Sequence, residues 1–220
     1  MRRPLATLLA LLLAAGPALA TWSIVVVNLE TGEVCVASAT CIEGMNLRGL
    51  TPVLIPEIGG AAAQAAGDNI GTRILMHDNF IMGESPEAIL SHLDNFDSLH
   101  QHRQYGMVDT QGRALTFTGS QAFDWAGGVT GQSGSLVYAI QGNILTGAPV
   151  VLEAEQALLN TPGDLSQKVM AAMEAAAAFG GDGRCSCDTG SPTSCGSPPS
   201  GNFKSSHIAY YLIARPGDQR

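Results

Sequence analysis

The sequence predicts an α+β domain in which two antiparallel sheets lie between layers of helix. Three observations carry this. Short β-branched, apolar runs come in pairs joined by tight turns, which is the pattern of antiparallel hairpins. Ala/Leu/Glu stretches with helix start signals follow, so the chain reads strands, helices, strands, helices, strand. Strands and helices both carry apolar faces, and paired sheets between helix layers cover both.

The elements follow in order. Thr21–Asn28 reads TWSIVVVN, a buried strand, and Val34–Thr40 after the turn at 30–33 is its hairpin partner. Residues 45–56 are mixed, hold two prolines and predict a loop. Gly59–Ala66 is Gly/Ala-rich and predicts a strand lying close on a neighbour. Asp68 and Asn69 then open a helix near 70–77. Ser85-Pro86-Glu87 is a helix start, with a capping hydroxyl, proline at the first helical position and an acid in the first turn. That helix is expected to run to about Leu93. Residues 103–109 and 113–119 read as a hairpin turning at Gln111-Gly112, and 127–134 as a flexible loop. A strand at 136–142 precedes helices at 149–159 and 165–179, the second capped by Asp164. A Gly/Ser/Pro/Cys-rich loop at 180–202 leads to a last strand at 206–215. There is no internal repeat, and residues 21–220 are expected to form one domain.

Residues 1–20 read as a signal peptide. Arg2 and Arg3 form a basic start, 5–15 are uncharged and apolar, and Ala18-Leu19-Ala20 is the small-x-small cleavage pattern. The apolar run falls short of the roughly 20 residues a membrane span needs. A secreted or periplasmic protein without a membrane span after cleavage is therefore expected. Taking Arg2 and Arg3 from the 11 basic residues leaves 9 against 19 acidic, a formal charge of −10. Such a chain repels nucleic acid, whose binding depends on neutralising phosphates. The five cysteines, Cys35, Cys41, Cys185, Cys187 and Cys195, fit disulfides in an oxidising compartment, with pairing open and one thiol left over. The alternative is zinc, with His207 as a further ligand. The C-x-C spacing without a histidine pair matches no usual zinc site, and no metal or cofactor is expected.

The chemistry points to the junction. Cleavage after Ala20 would make Thr21 the first residue, joining a hydroxyl nucleophile and an amine base in one residue. An α-amine has a pKa of about 7.7–8, so part of it is neutral at physiological pH. Such a mechanism also needs a donor for the developing oxyanion. Gln141-Gly142-Asn143, expected just past a strand end, makes Asn143 the favoured donor; Asn69 is the second choice, although a helix cap also accounts for it. Asp68, Gln141 and Asp182 are candidates for lining the site. Arg103 has no acid within three residues; a surface ion pair with Asp109 or Asp182 is the plainer expectation, and binding of an anionic substrate group the sharper one. The five histidines lack metalloprotease spacing, and His100-x-His102 reads as exposed loop. G-x-S-x-G, P-loop and G-x-G-x-x-G motifs are absent from the chain.

The residues then resemble the Ntn-hydrolase-like family catalogued as domain of unknown function 1028. The matching stretches include Thr21-Trp-Ser-Ile-Val-Val-Val, Glu30-Thr-Gly-Glu, Ala62-Ala-Gln-Ala-Ala-Gly-Asp-Asn, Gly83-Glu-Ser-Pro-Glu-Ala, Arg103-Gln-Tyr-Gly-Met-Val-Asp, Gln141-Gly-Asn-Ile-Leu and Gly180-Gly-Asp182. The family usually begins Met-Thr-Phe-Ser-Ile, where loss of Met exposes Thr; here leader cleavage would do so. The resemblance implies a four-layer αββα sandwich and hydrolysis of an amide-like bond in a small-molecule or peptide-like substrate. It names no substrate and leaves room for a homo-oligomer. The Cys-rich loop departs from the family pattern at 183–202 and looks like an extracellular staple. The rival reading is a non-catalytic exported binding or assembly protein on the same scaffold.

Overall fold

A computed structural model describes residues 18–19, 21–66 and 70–219. The strands are β1 (Ala18–Leu19), β2 (Thr21–Asn28), β3 (Val34–Thr40), β4 (Pro52–Ile55), β5 (Gly59–Ala66), β6 (Gln104–Asp109), β7 (Ala114–Thr118), β8 (Gly127–Ser133), β9 (Leu136–Asn143) and β10 (Ile208–Ala214). The helices are α1 (Ile70–Ile81), α2 (Pro86–Phe96), α3 (Pro149–Asn160), α4 (Leu165–Ala178) and the single turn α5 (Gly183–Ser186). One sheet runs β10-β3-β2-β9-β8; the other runs β5-β6-β7, with β4 and β1 sharing the outer edge of β5. Every strand pairing among the described residues is antiparallel.

Strand alternation builds four layers from these sheets. In β2, Trp22, Ile24 and Val26 face outward and pack with Val150, Ala154 and Leu158 of α3 and Val169, Ala172 and Ala176 of α4. Ala61, Ala63, Tyr105 and Met107 face outward from the other sheet onto Met76 and Phe80 of α1 and Ile89 and Leu93 of α2. The remaining set, Val25, Val27, Val34, Val36, Ala62, Val108, Val137 and Ala139, fills the seam between the sheets. The fold is the αββα sandwich.

Small residues set the sheet spacing. A Cβ on Gly60 would stand 3.0 Å from both Val34 Cγ1 and Val36 Cγ2, so the Gly/Ala run of β5 lets the sheets approach. Burying Trp22 removes roughly 150–250 Å² from water, worth about 4–6 kcal/mol at 25 cal/mol per Å². Its ring lies over Gly181, where a Cβ would sit 2.6 Å from it.

The helix signals hold. Ser85 caps α2 by accepting from the Ala88 amide, and Asp164 with Gln167 forms a capping box on α4. Two loops expected from sequence are strands. Residues 52–55 form β4, whose proline stands at the first position of an edge strand, where a missing donor is tolerated. Residues 127–133 form β8, an exposed edge strand paired along its length with β9. Its glycines conceal it in the sequence, yet Gly131 is needed there: a Cβ would meet the Tyr138 hydroxyl at 2.2 Å. His100 is also not exposed loop. It is buried and stacks on Phe117 at 4.2 Å between ring centres. Burial lowers its pKa against the opposing pull of Asp94 and Asp97, and so favours the neutral ring.

The disulfides are Cys41–Cys185 and Cys187–Cys195, which pin the Cys-rich loop to the end of β3. Cys35 is free and buried; desolvation, with the Glu33 charge, pushes its thiol far above the ordinary range and keeps it unreactive. No helix among the described residues is long and apolar enough to cross a membrane.

Candidate active site

The seam between the sheets changes character along its length. Toward one end its residues are valine and alanine; at the other they are Thr21, Ser23, Ser38, Thr40, Gln64, Gln104, Gln141 and Asn143, all buried. This polar end follows from alternation: Thr21 and Ser23 continue the Val25, Val27 row of β2, and Gln141 and Asn143 continue the Val137, Ala139 row of β9.

Gln64 joins the two sheets there. Its Nε2 donates to the Thr21 carbonyl at 2.7 Å and to Gln104 Oε1 at 2.7 Å, and its Oε1 accepts from the Ser23 hydroxyl. Gln104 Nε2 in turn donates to Thr118 Oγ1 at 2.9 Å and to the Gly142 carbonyl at 2.9 Å. On the other flank Ser23, Ser38, Tyr210 and Thr51 form a hydroxyl chain with spacings of 2.7, 2.9 and 2.6 Å. Burial pushes the Tyr210 phenol above its usual range, against the hydrogen bonds from Ser38 and Thr51, so it stays protonated. A lone amide in a Gly/Ala strand is the only sequence signal that marks Gln64.

Against this satisfied network two side chains stand out. Thr21 lies directly opposite Asn143 in the β2–β9 ladder, and Ser23 opposite Gln141. Residues so paired have Cβ atoms about 4.5–5.5 Å apart on one face. Asn143 Nδ2 and Oδ1, and Gln141 Nε2 and Oε1, are buried and have no hydrogen-bonding partner among the described residues. A buried amide left unpaired costs about 1–3 kcal/mol, so each such group calls for an explanation. Gly106 makes the space for Gln141, since a Cβ there would fall 2.2 Å from Gln141 Oε1.

The other sequence candidates lie as follows. Asn143 and Gln141 are not past the strand end but are among the last residues of β9, which is why their side chains face the seam. Asp68 and Asn69 lie outside the described residues. Arg103 pairs with neither Asp109 nor Asp182 and is not on the surface. Its Nε donates to Asp97 Oδ2 at 2.8 Å, both side chains being at least nine-tenths buried. It shares the parity of Tyr105, which packs on the helix side of β6, away from Thr21. Asp182 is buried and occupied: Oδ2 accepts from the Cys41 amide at 2.7 Å and from Arg184 Nη2 at 2.8 Å, and Oδ1 accepts from Arg184 Nε at 3.1 Å. It positions the Cys-rich loop beside β3. Cys41, Cys185 and His207 place ligand atoms within 4.8 Å of one another, but the two sulfurs are joined and so offer no thiolate.

The model of the family described as "Family of unknown function (DUF1028)" matches residues 21–190, beginning at Thr21. A crystal structure of a protein from Silicibacter pomeroyi, assigned to the same family, superposes with a TM-score of 0.68. The two are 23% identical, over 90% of this chain and 76% of that one, a likeness that speaks for the fold. No curated protein matches.

Proposed function

We propose that this chain, which belongs to the DUF1028 family of unknown function, is an exported hydrolase that cleaves an amide-like bond with Thr21 as its N-terminal nucleophile. The observation that carries this is the buried, unpartnered Asn143 amide standing opposite Thr21 at the head of a central strand. In the uncleaved chain the Thr21 nitrogen is a peptide amide, which cannot act as a base. Removal of residues 1–20 would turn it into an amine with a pKa near 8. The absence of a membrane-spanning helix among the described residues and the two disulfides are compatible with export.

After that cleavage the proposed chemistry draws on Thr21 and Asn143. The neutral amine takes the Thr21 Oγ proton as Oγ bonds to the substrate carbonyl carbon. Asn143 Nδ2 is free to donate to the oxyanion that forms. The C–N bond breaks, and the leaving amine departs with the proton held by the α-amine. Water attacks the resulting ester, gives its proton through the same amine to Oγ, and releases the acid. The Gln64 bond to the Thr21 carbonyl holds the nucleophile's backbone while this happens.

A β-lactone probe followed by mass spectrometry tests the reading. One acyl group should appear on Thr21 of the exported protein, and labelling should rise with pH through about 8 as the amine loses its proton. Labelling that persists in Thr21→Ala, or a mature terminus at another residue, would overturn it. The latter outcome would favour an exported binding protein on this scaffold.

A further inference from the structure

The edge of β5 is covered in three pieces. β4 pairs with Gly59 to Ala62, the Thr51 carbonyl accepts from the Ala63 amide at 2.9 Å, and β1 pairs with Ala65 and Ala66. The first two covers belong to the domain. The third is the end of the leader, Ala18 opposite Ala66 and Leu19 opposite Ala65 in an antiparallel ladder. One residue separates Leu19 from Thr21, so the chain leaves one sheet and enters the other within two Cα–Cα steps, at most about 7.6 Å. The relation does not depend on the leader alone. Gln64, the residue before Ala65, binds the Thr21 carbonyl across the seam.

We propose that loss of residues 1–20 uncovers this edge as the binding site for the acyl side of an extended peptide substrate, which re-forms the ladder the leader made with Ala65 and Ala66. This rests on the reading of Thr21 as nucleophile. The occupant is argued from the chain itself. Ala18-Leu19-Ala20 is uncharged with two small residues; the backbone of Ala18 and Leu19 pairs with this edge, and the carbonyl of the next residue belongs to the bond that precedes Thr21. A peptide bound in its place brings its own scissile carbonyl to the nucleophile, with backbone hydrogen bonds fixing the register. Short amides without residues on the acyl side would lack that hold.

Acetyl-Ala-Leu-Ala 7-amido-4-methylcoumarin and acetyl-Ala 7-amido-4-methylcoumarin, given to the mature protein, test the substrate. The tripeptide should be turned over with kcat/KM at least tenfold higher. Pairs in an antiparallel ladder alternate between bonded and non-bonded. N-methylation of the first Ala or of Leu should therefore abolish this gain at one of the two positions and spare it at the other. A second readout does not need turnover. In mature Thr21→Ala protein, acetyl-Ala-Leu-Ala should shift the backbone NMR signals of Ala65 and Ala66. Where the substrates are hydrolysed, equal turnover of both or indifference to both methylations would overturn the edge site, and unshifted Ala65 and Ala66 signals would overturn it in any case. Peptide binding at Ala65 and Ala66 without hydrolysis of any amide would support the edge site and refute Thr21 as nucleophile.

Discussion

At the scale of the residue, the site is defined by which polar groups are paired and which are not. Gln64, Gln104, Ser23, Ser38 and Tyr210 satisfy one another, so they hold the sheets in register. Asn143 does not, and a buried amide without a partner adds nothing to stability. Asn143→Leu should therefore leave the melting temperature unchanged or raise it, while lowering kcat by about 10²–10³-fold as expected for loss of an oxyanion donor. Thermal unfolding and turnover measured side by side check this. A protein that melts well below the wild type would make Asn143 structural instead. The sequence singled out Thr21 and Asn143 but not why Asn143 wins over its neighbours. That rests on the β9 register, which sets Asn143 rather than Gly142 on the face of Thr21.

At the scale of the element, ion pairs and caps fix what the strands cannot. The 3-10 turn at His100–His102 is tied down by Arg103 bonding Asp97. Burial alone would raise the Asp97 carboxyl. The Arg103 hydrogen bond, the Leu99 amide and the Arg103 charge outweigh it and hold the group below its usual value. A lowered folded-state pKa means the contribution is present above the unfolded value of about 3.9 and is lost as pH falls through the lower folded one. Asp97→Asn removes the carboxylate that Arg103 bonds and should lower stability at pH 7. The difference from wild type should shrink below about pH 4, as chemical denaturation across pH would record. Helices were legible where capping chemistry is local, as at Ser85 and Asp164. β8 was not, because its pairing partner β9 and not its own composition makes it a strand.

At the scale of the whole molecule, the Cys-rich loop closes the polar end of the sandwich. Cys41–Cys185 spans 144 residues and Cys187–Cys195 only 8. By loop-closure entropy these constrain the unfolded chain by about 5 and about 2.5 kcal/mol respectively. Cys41→Ser should thus destabilise the protein more than Cys187→Ser, as equilibrium denaturation would show; the reverse order would mean that the short loop is pinned for another reason. Gly181 adds a contact the disulfides protect, since it allows the loop to cross the face of Trp22.

The sequence by itself determined which faces are apolar, where helices start, that five cysteines leave a thiol over, and that Thr21 heads a strand behind a small-x-small motif. Those are local properties, carried by alternation, capping residues and a short motif. Only the tertiary structure decided that Thr21 stands opposite Asn143, that Gln64 bridges the sheets, that Arg103 turns to the helix side, and that Ala18 and Leu19 pair with the edge at Ala65 and Ala66. Each of these depends on strand order and register, set by packing between segments far apart in the chain, and no local stretch of sequence records them.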